Sequence, residues 1–124
     1  MEKTKGQVED ALAKAFIQFY VKKLGTGPKE ARVYIVDDMI IVRLWGRLHP
    51  LEDVLLLEKK GIELVKNIRK TFQEATFKEL NAIIKKIVGC EITSFHSDSS
   101  TRTGERFEIF VSDQNISNRF NINT

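Results

Sequence analysis

Residues 33–45 read VYIVDDMIIVRLW, two β-branched and aromatic runs separated by Asp37-Asp38. Two residues are the length of a tight hairpin turn, so the spacing predicts antiparallel strands over 33–36 and 39–45. The second run carries a stronger constraint. Met39 and Ile41, with Arg43 and Trp45, face one way, and Ile40, Val42 and Leu44 face the other. A sheet with one wetted face alternates apolar and polar side chains. Here both sets are largely apolar, so the strand calls for cover on both faces.

The flanking sequence supplies helices for one of those faces. Over residues 4–23, Val8, Ala11, Leu12, Ala15, Phe16, Phe19 and Tyr20 recur at three- and four-residue spacing, which predicts a helix. Ile17, Val21 and Leu24 add a second, narrower apolar stripe, and Gly25 stops the helix. After the second strand closes at Gly46, Pro50 suits the first turn of another helix, with Glu52 and Asp53 near its positive end. That helix is expected to run to about Lys60, with Gly61 bending or breaking it. A longer helix over 62–88 is expected to bury Val65, Ile68, Phe72, Leu80, Ile83, Ile84 and Ile87 and to end at Gly89. Strands over 91–96 and 107–111 follow, joined by the polar segment SDSSTRTGE. The order α-β-β-α-α-β-β predicts an α+β fold, a four-stranded antiparallel sheet of two hairpins with helices packed on one face. Phe95 and Phe110 are candidates for the open face. Residues 1–112 read as a single domain, and the Asn-rich residues 113–124 as a flexible polar tail.

Composition agrees with a globular chain: 124 residues, 42% hydrophobic and 30% charged. One cysteine, Cys90, allows no intrachain disulfide and fits a reducing compartment. The N-terminus is charged from the start, and no apolar run approaches the roughly 20 residues needed to cross a bilayer. The expected location is cytoplasmic, with peripheral membrane association as an option. The net charge of +3 is too mild for a dedicated basic stripe.

Few segments carry chemistry. GTGPK has a helix before it and a strand after it, the reverse of a phosphate loop, and reads as a turn. GRLHPLED is the best site candidate. The helix start at Pro50 exposes free N–H groups, Arg47 and His49 precede it, and Arg43 lies four residues further back. With Arg69 these residues form a candidate anion site; the competing reading is solvated arginines, one of them paired with Glu52. Arg69 borders the buried stripe of the long helix and is expected to pair with Glu52 or Asp38. No metal-ligand spacing joins Cys90, His49 and His96, and no nucleophile elbow surrounds the serines near His96. No catalytic residue, metal or cofactor is therefore assigned. Lys59, Lys60, Lys66, Lys70, Lys78, Lys85 and Lys86 could form a basic helix face for nucleic acid, diluted by Glu58, Glu63, Glu74 and Glu79.

One set of residues resembles a known family. Gly27-Pro28, Asp38, Leu44-x-Gly46-x-Leu48-x-Pro50-x-Glu52, Gly61, Val65 with Arg69 four beyond, Gly89 and Ser97-Asp98 look like the MpsC-like (YbcI-type) family of small bacterial domains. The resemblance covers about residues 5–112. It implies structural roles for Gly27, Pro28, Asp38, Gly46, Pro50, Glu52, Gly61 and Gly89. The family is named after a component of a sodium-translocating, membrane-potential-generating system linked to bicarbonate uptake. The resemblance therefore implies an accessory or regulatory role and not a catalytic one. His49 stands where the family usually has Thr, which weakens the helix cap there. The resulting expectation is a non-enzymatic domain that works by self-association as a homodimer and by protein contact, linked to a sodium/bicarbonate membrane transport system. The alternatives are a nucleic-acid-binding regulator using helix 62–88, and a small-anion sensor at the Arg47/His49 helix start.

Overall fold

The hairpin forms where the spacing predicts. In the computed structural model, which describes residues 3–121, β1 (Glu30–Val36) pairs antiparallel with β2 (Met39–Trp45). Asp37 takes the left-handed φ of 56° that the tight turn requires, a conformation Asp tolerates better than most residues. β3 (Ile92–Ser99) and β4 (Glu105–Ser112) form the second hairpin, with a register shift between Ile92 and Ser94. The two hairpins join through β2 and β4, giving one four-stranded antiparallel sheet of order β1-β2-β4-β3.

Helices α1 (Lys5–Leu24) and α3 (Lys59–Val88) pack on one face of that sheet. A capping box between Thr4 and Gln7 starts α1, and Gly25, at φ 76°, ends it. Its apolar stripe, Leu12, Phe16 and Tyr20, meets the inward residues Val33, Ile35, Ile40, Val42 and Leu44. Phe95 and Phe110 belong to this inner layer and not to the open face suggested for them. Phe110 is fully buried, its ring lying 4.8 Å from that of Phe95 and 5.8 Å from that of Phe16. Ile35, on the edge strand, gives its N–H to the Glu9 carboxylate at 2.8 Å, so α1 also covers that edge.

Two expectations need correction. The helix predicted to reach Lys60 is a single turn, α2 (Glu52–Leu55), and the chain is extended at Glu58 before α3 begins. Gly61 therefore breaks nothing; it lies in the first turn of α3, where that turn presses against the Leu55 carbonyl. The buried stripe of α3 keeps the predicted Val65, Leu80 and Ile84 fully buried and Phe72, Ile83 and Ile87 packed against the core, but differs at Ile68 and in its polar members. It runs Val65, Arg69, Gln73, Thr76, Leu80, Ile84, while Ile68 is 39% exposed. Half of that stripe is polar, which hydrophobic periodicity cannot detect.

The segment read as a flexible tail packs onto the domain through Ile116 and Phe120, and residues 122–124 lie outside the described residues. Ile116 is fully buried, and its N–H reaches the Asp37 carbonyl at 2.8 Å. Asp37 in turn donates its N–H to the Ser117 hydroxyl. The Arg119 guanidinium donates to the carbonyls of Val88 and Gly89, closing the C-terminal end of α3. Ile116→Ala is expected to destabilise the fold by about 2–5 kcal/mol, as a large-to-small change in a closed core. Urea unfolding measures it; a loss below about 1 kcal/mol would mean the segment is not part of the cooperative unit.

Candidate functional site

The Leu-x-Gly-x-Leu-x-Pro-x-Glu segment is a device for burying one carboxylate. Gly46 sits at φ 104°, where an added Cβ would come within 3.0 Å of the Lys29 backbone nitrogen. The chain then turns inward at Leu48, which is 6% exposed. His49 caps the next turn, its Nδ1 accepting the Leu51 N–H at 3.1 Å and its carbonyl the Glu52 N–H at 3.0 Å. This delivers Glu52, 3% exposed, to the interior. There it receives a bidentate fork from Arg69, Nε at 3.1 Å and Nη2 at 2.8 Å, and the Leu48 N–H at 3.1 Å. The planar fork matches the carboxylate geometry and compensates part of the desolvation of both charges.

A second polar group lies beside the first. β4 alternates strictly, and its inward positions are Arg106, Glu108, Phe110 and Ser112. Glu108 is fully buried and accepts the Tyr20 hydroxyl at 2.9 Å. The Arg106 guanidinium, 1% exposed, lies over the Tyr20 ring at 5.2 Å. Burial pushes the Glu108 carboxyl up and the Arg106 guanidinium down from their ordinary values. Burial, followed by the Glu108 charge, raises the Tyr20 hydroxyl. Sequence reasoning placed Tyr20 on the apolar face of α1 without its hydroxyl's partner, and did not single out Gln73, Arg106 and Glu108. The signal was present, since the alternation of RFEIFVS puts Arg106 and Glu108 on the face of Phe110.

The four arginine and histidine candidates do not converge. Arg69 is inside with Glu52, as the pairing expectation held. Arg43 lies on the outer face of the sheet, bonded to Glu105 at 2.7 Å and stacked 4.4 Å over the Trp45 ring. Arg47 pairs with Asp53 at the surface, and His49 is exposed and used as a cap. The lysines of α3 are exposed, with Lys85 paired to Glu91. Among the described residues, no group of three or more His, Cys, Asp or Glu is placed to hold a metal ion.

The outer face is the other distinctive surface. Its central rows are Tyr34–Ile41–Ile109 and Val36–Met39–Val111, flanked by Trp45 and Phe107. Tyr34 and Val36 are 39% and 43% exposed, and Met39, Ile41, Ile109 and Val111 are half-buried by their neighbours alone.

Fold and interior together define a small helix-backed sheet domain with a buried ion cluster and an open apolar sheet face. The chain belongs to the family described as the Na+-translocating membrane potential-generating system (MpsC), which matches residues 4–114. It is 40% identical over 110 residues to the "Uncharacterized protein YbcI" of Bacillus subtilis (strain 168), 89% of each chain being covered. No solved structure matches it. The family was therefore legible in the motif residues, of which Gly46, Glu52, Gly61 and Arg69 serve the buried ion pair and the helix contact beside it.

Proposed function

We propose that this protein is a non-enzymatic accessory module that works by association, forming a homodimer through the outer face of its sheet. The observation that supports this is the pair of apolar rows centred on Ile41 and Ile109, which the helices leave open. A four-stranded face with strands of seven and eight residues measures roughly 19 by 25 Å. That is the core of an interface of about 800 Å² per partner once its rim is included. The β1 edge offers less: Glu9, Lys5 and Ser117 already bond the backbone of Ile35. Face-to-face stacking of two copies about a twofold axis covers the rows with themselves. Arg43, held by Glu105 over Trp45 and Phe107, presents a rigid rim to the second copy.

In the family's sodium-translocating system such a dimer would act as a peripheral partner. No helix among the described residues is long and apolar enough to cross a membrane. The test is the double variant Ile41→Lys/Ile109→Lys. Both side chains are half-exposed in the single chain, so the fold should tolerate the change while the dimer does not. The expected result is a folded monomer by size-exclusion chromatography with light scattering, with unchanged circular dichroism. A variant that elutes with the same mass as the wild type would remove the sheet face from the interface.

A further inference from the structure

The polar half of the interior has more hydrogen-bonding groups than the described residues satisfy. All three Arg106 nitrogens, Arg69 Nη1 and Glu108 Oε1 lack partners. Arg106, Arg69 and Glu108 are 1%, 3% and 0% exposed, so bulk water does not serve them. Arg106 and Glu108 stand two residues apart on one face of β4, yet Glu108 is bonded to Tyr20. Buried charged groups are ordinarily hydrogen-bonded, and a guanidinium with no acceptor is the costliest exception.

Beside these groups a cleft of about 260 Å³ opens between α3 and β3. Arg69 and Gln73 line it from α3, and Ser97 and Ser99 from β3. The strand register sets Ser99 opposite Arg106 and Ser97 opposite Glu108, so Arg106 and Glu108 lie behind the serine wall of the cleft, which Arg69 lines directly. We propose that this cleft binds a small oxyanion, a carboxylate or phosphate group, held by the guanidiniums of Arg69 and Arg106 and the hydroxyls of Ser97 and Ser99. The planar donors of arginine fit both ligand groups. At the exposed mouth Lys66 and Lys70 are offset by Glu63 and Asp98. Selectivity for an anion therefore comes from the buried arginines and not from the rim. Burial pushes the Glu108 carboxyl up, against the lowering effect of Tyr20 and Arg106.

The wild-type protein tests this directly. Its arginine side-chain N–H resonances are followed by NMR during titration with inorganic phosphate, with formate, and with chloride at matched ionic strength. Arg69 and Arg106 should shift and saturate with an oxyanion and not with chloride. The anion that saturates at lower concentration identifies the group the site prefers. Saturation should also raise Tm by about 3 °C or more, and Arg106→Gln should abolish that rise. Should Arg106→Gln fail to fold, Ser99→Val serves instead and should raise the titration midpoint at least fivefold. Resonances unmoved by both oxyanions, or moved equally by chloride, would overturn the site, as would an undiminished Tm rise in the variant.

Discussion

Replacing Arg69 with Met is expected to cost about 3–5 kcal/mol. The replacement leaves Glu52 buried at 3% exposure with only the Leu48 N–H to hold it. The cost arises from that stranded carboxylate and much less from the attraction lost. The double variant Glu52→Gln/Arg69→Met should therefore recover a substantial part of the stability, because no charge is left unpaired. Urea unfolding of the two single variants and the double variant gives the coupling directly. An Arg69→Met loss below about 1 kcal/mol would mean that water reaches Glu52 and that the pair is not the pin between α2 and α3.

Gly61→Ala should be comparably damaging for a different reason. The added Cβ would stand 1.6 Å from the Leu55 carbonyl oxygen, a backbone atom with no freedom to swing aside. Helix propensity favours the alanine by at most about 1 kcal/mol, so the clash decides the sign. Either α2 moves off α3, carrying Glu52 with it, or the first turn of α3 unwinds. The expected loss is above about 4 kcal/mol, in the range reserved for a specific structural break. Gly6→Ala is the control. Nothing lies within 4 Å of its Cβ position, and the change should be neutral or slightly stabilising. Equal melting temperatures for the two variants would contradict the close approach at Gly61.

The sequence made the sheet and its hairpins readable because strand alternation and the Asp37-Asp38 gap are local signals. The helix stops at Gly25 and Gly89 were readable for the same reason. Arg69 could be given a carboxylate partner in advance, Glu52 or Asp38, because a charge at the border of an apolar stripe needs one, and the structure selects Glu52. The rest of the interior was hidden. Arg69, Gln73 and Thr76 occupy buried turns of α3, and a reading that seeks apolar residues finds the apolar members of that face, adds the exposed Ile68, and passes over Gln73 and Thr76. Arg106 and Glu108 were passed over on the same principle, although strand period alone places them inward. Ile116 and Phe120 sit in an otherwise polar stretch, and the burial of Ile116 depends on where Asp37 lies in space. The one-turn length of α2 has no local cause in LLLEKK that we can name.

The claim that the open sheet face is covered by a second copy is tested most directly by sedimentation velocity of the wild-type chain at micromolar concentration. The account predicts a single boundary at about 28.6 kDa, twice the 14.3 kDa of one chain, dissociating on dilution or in the Ile41→Lys/Ile109→Lys variant. A single species at 14.3 kDa across the concentration range would contradict it.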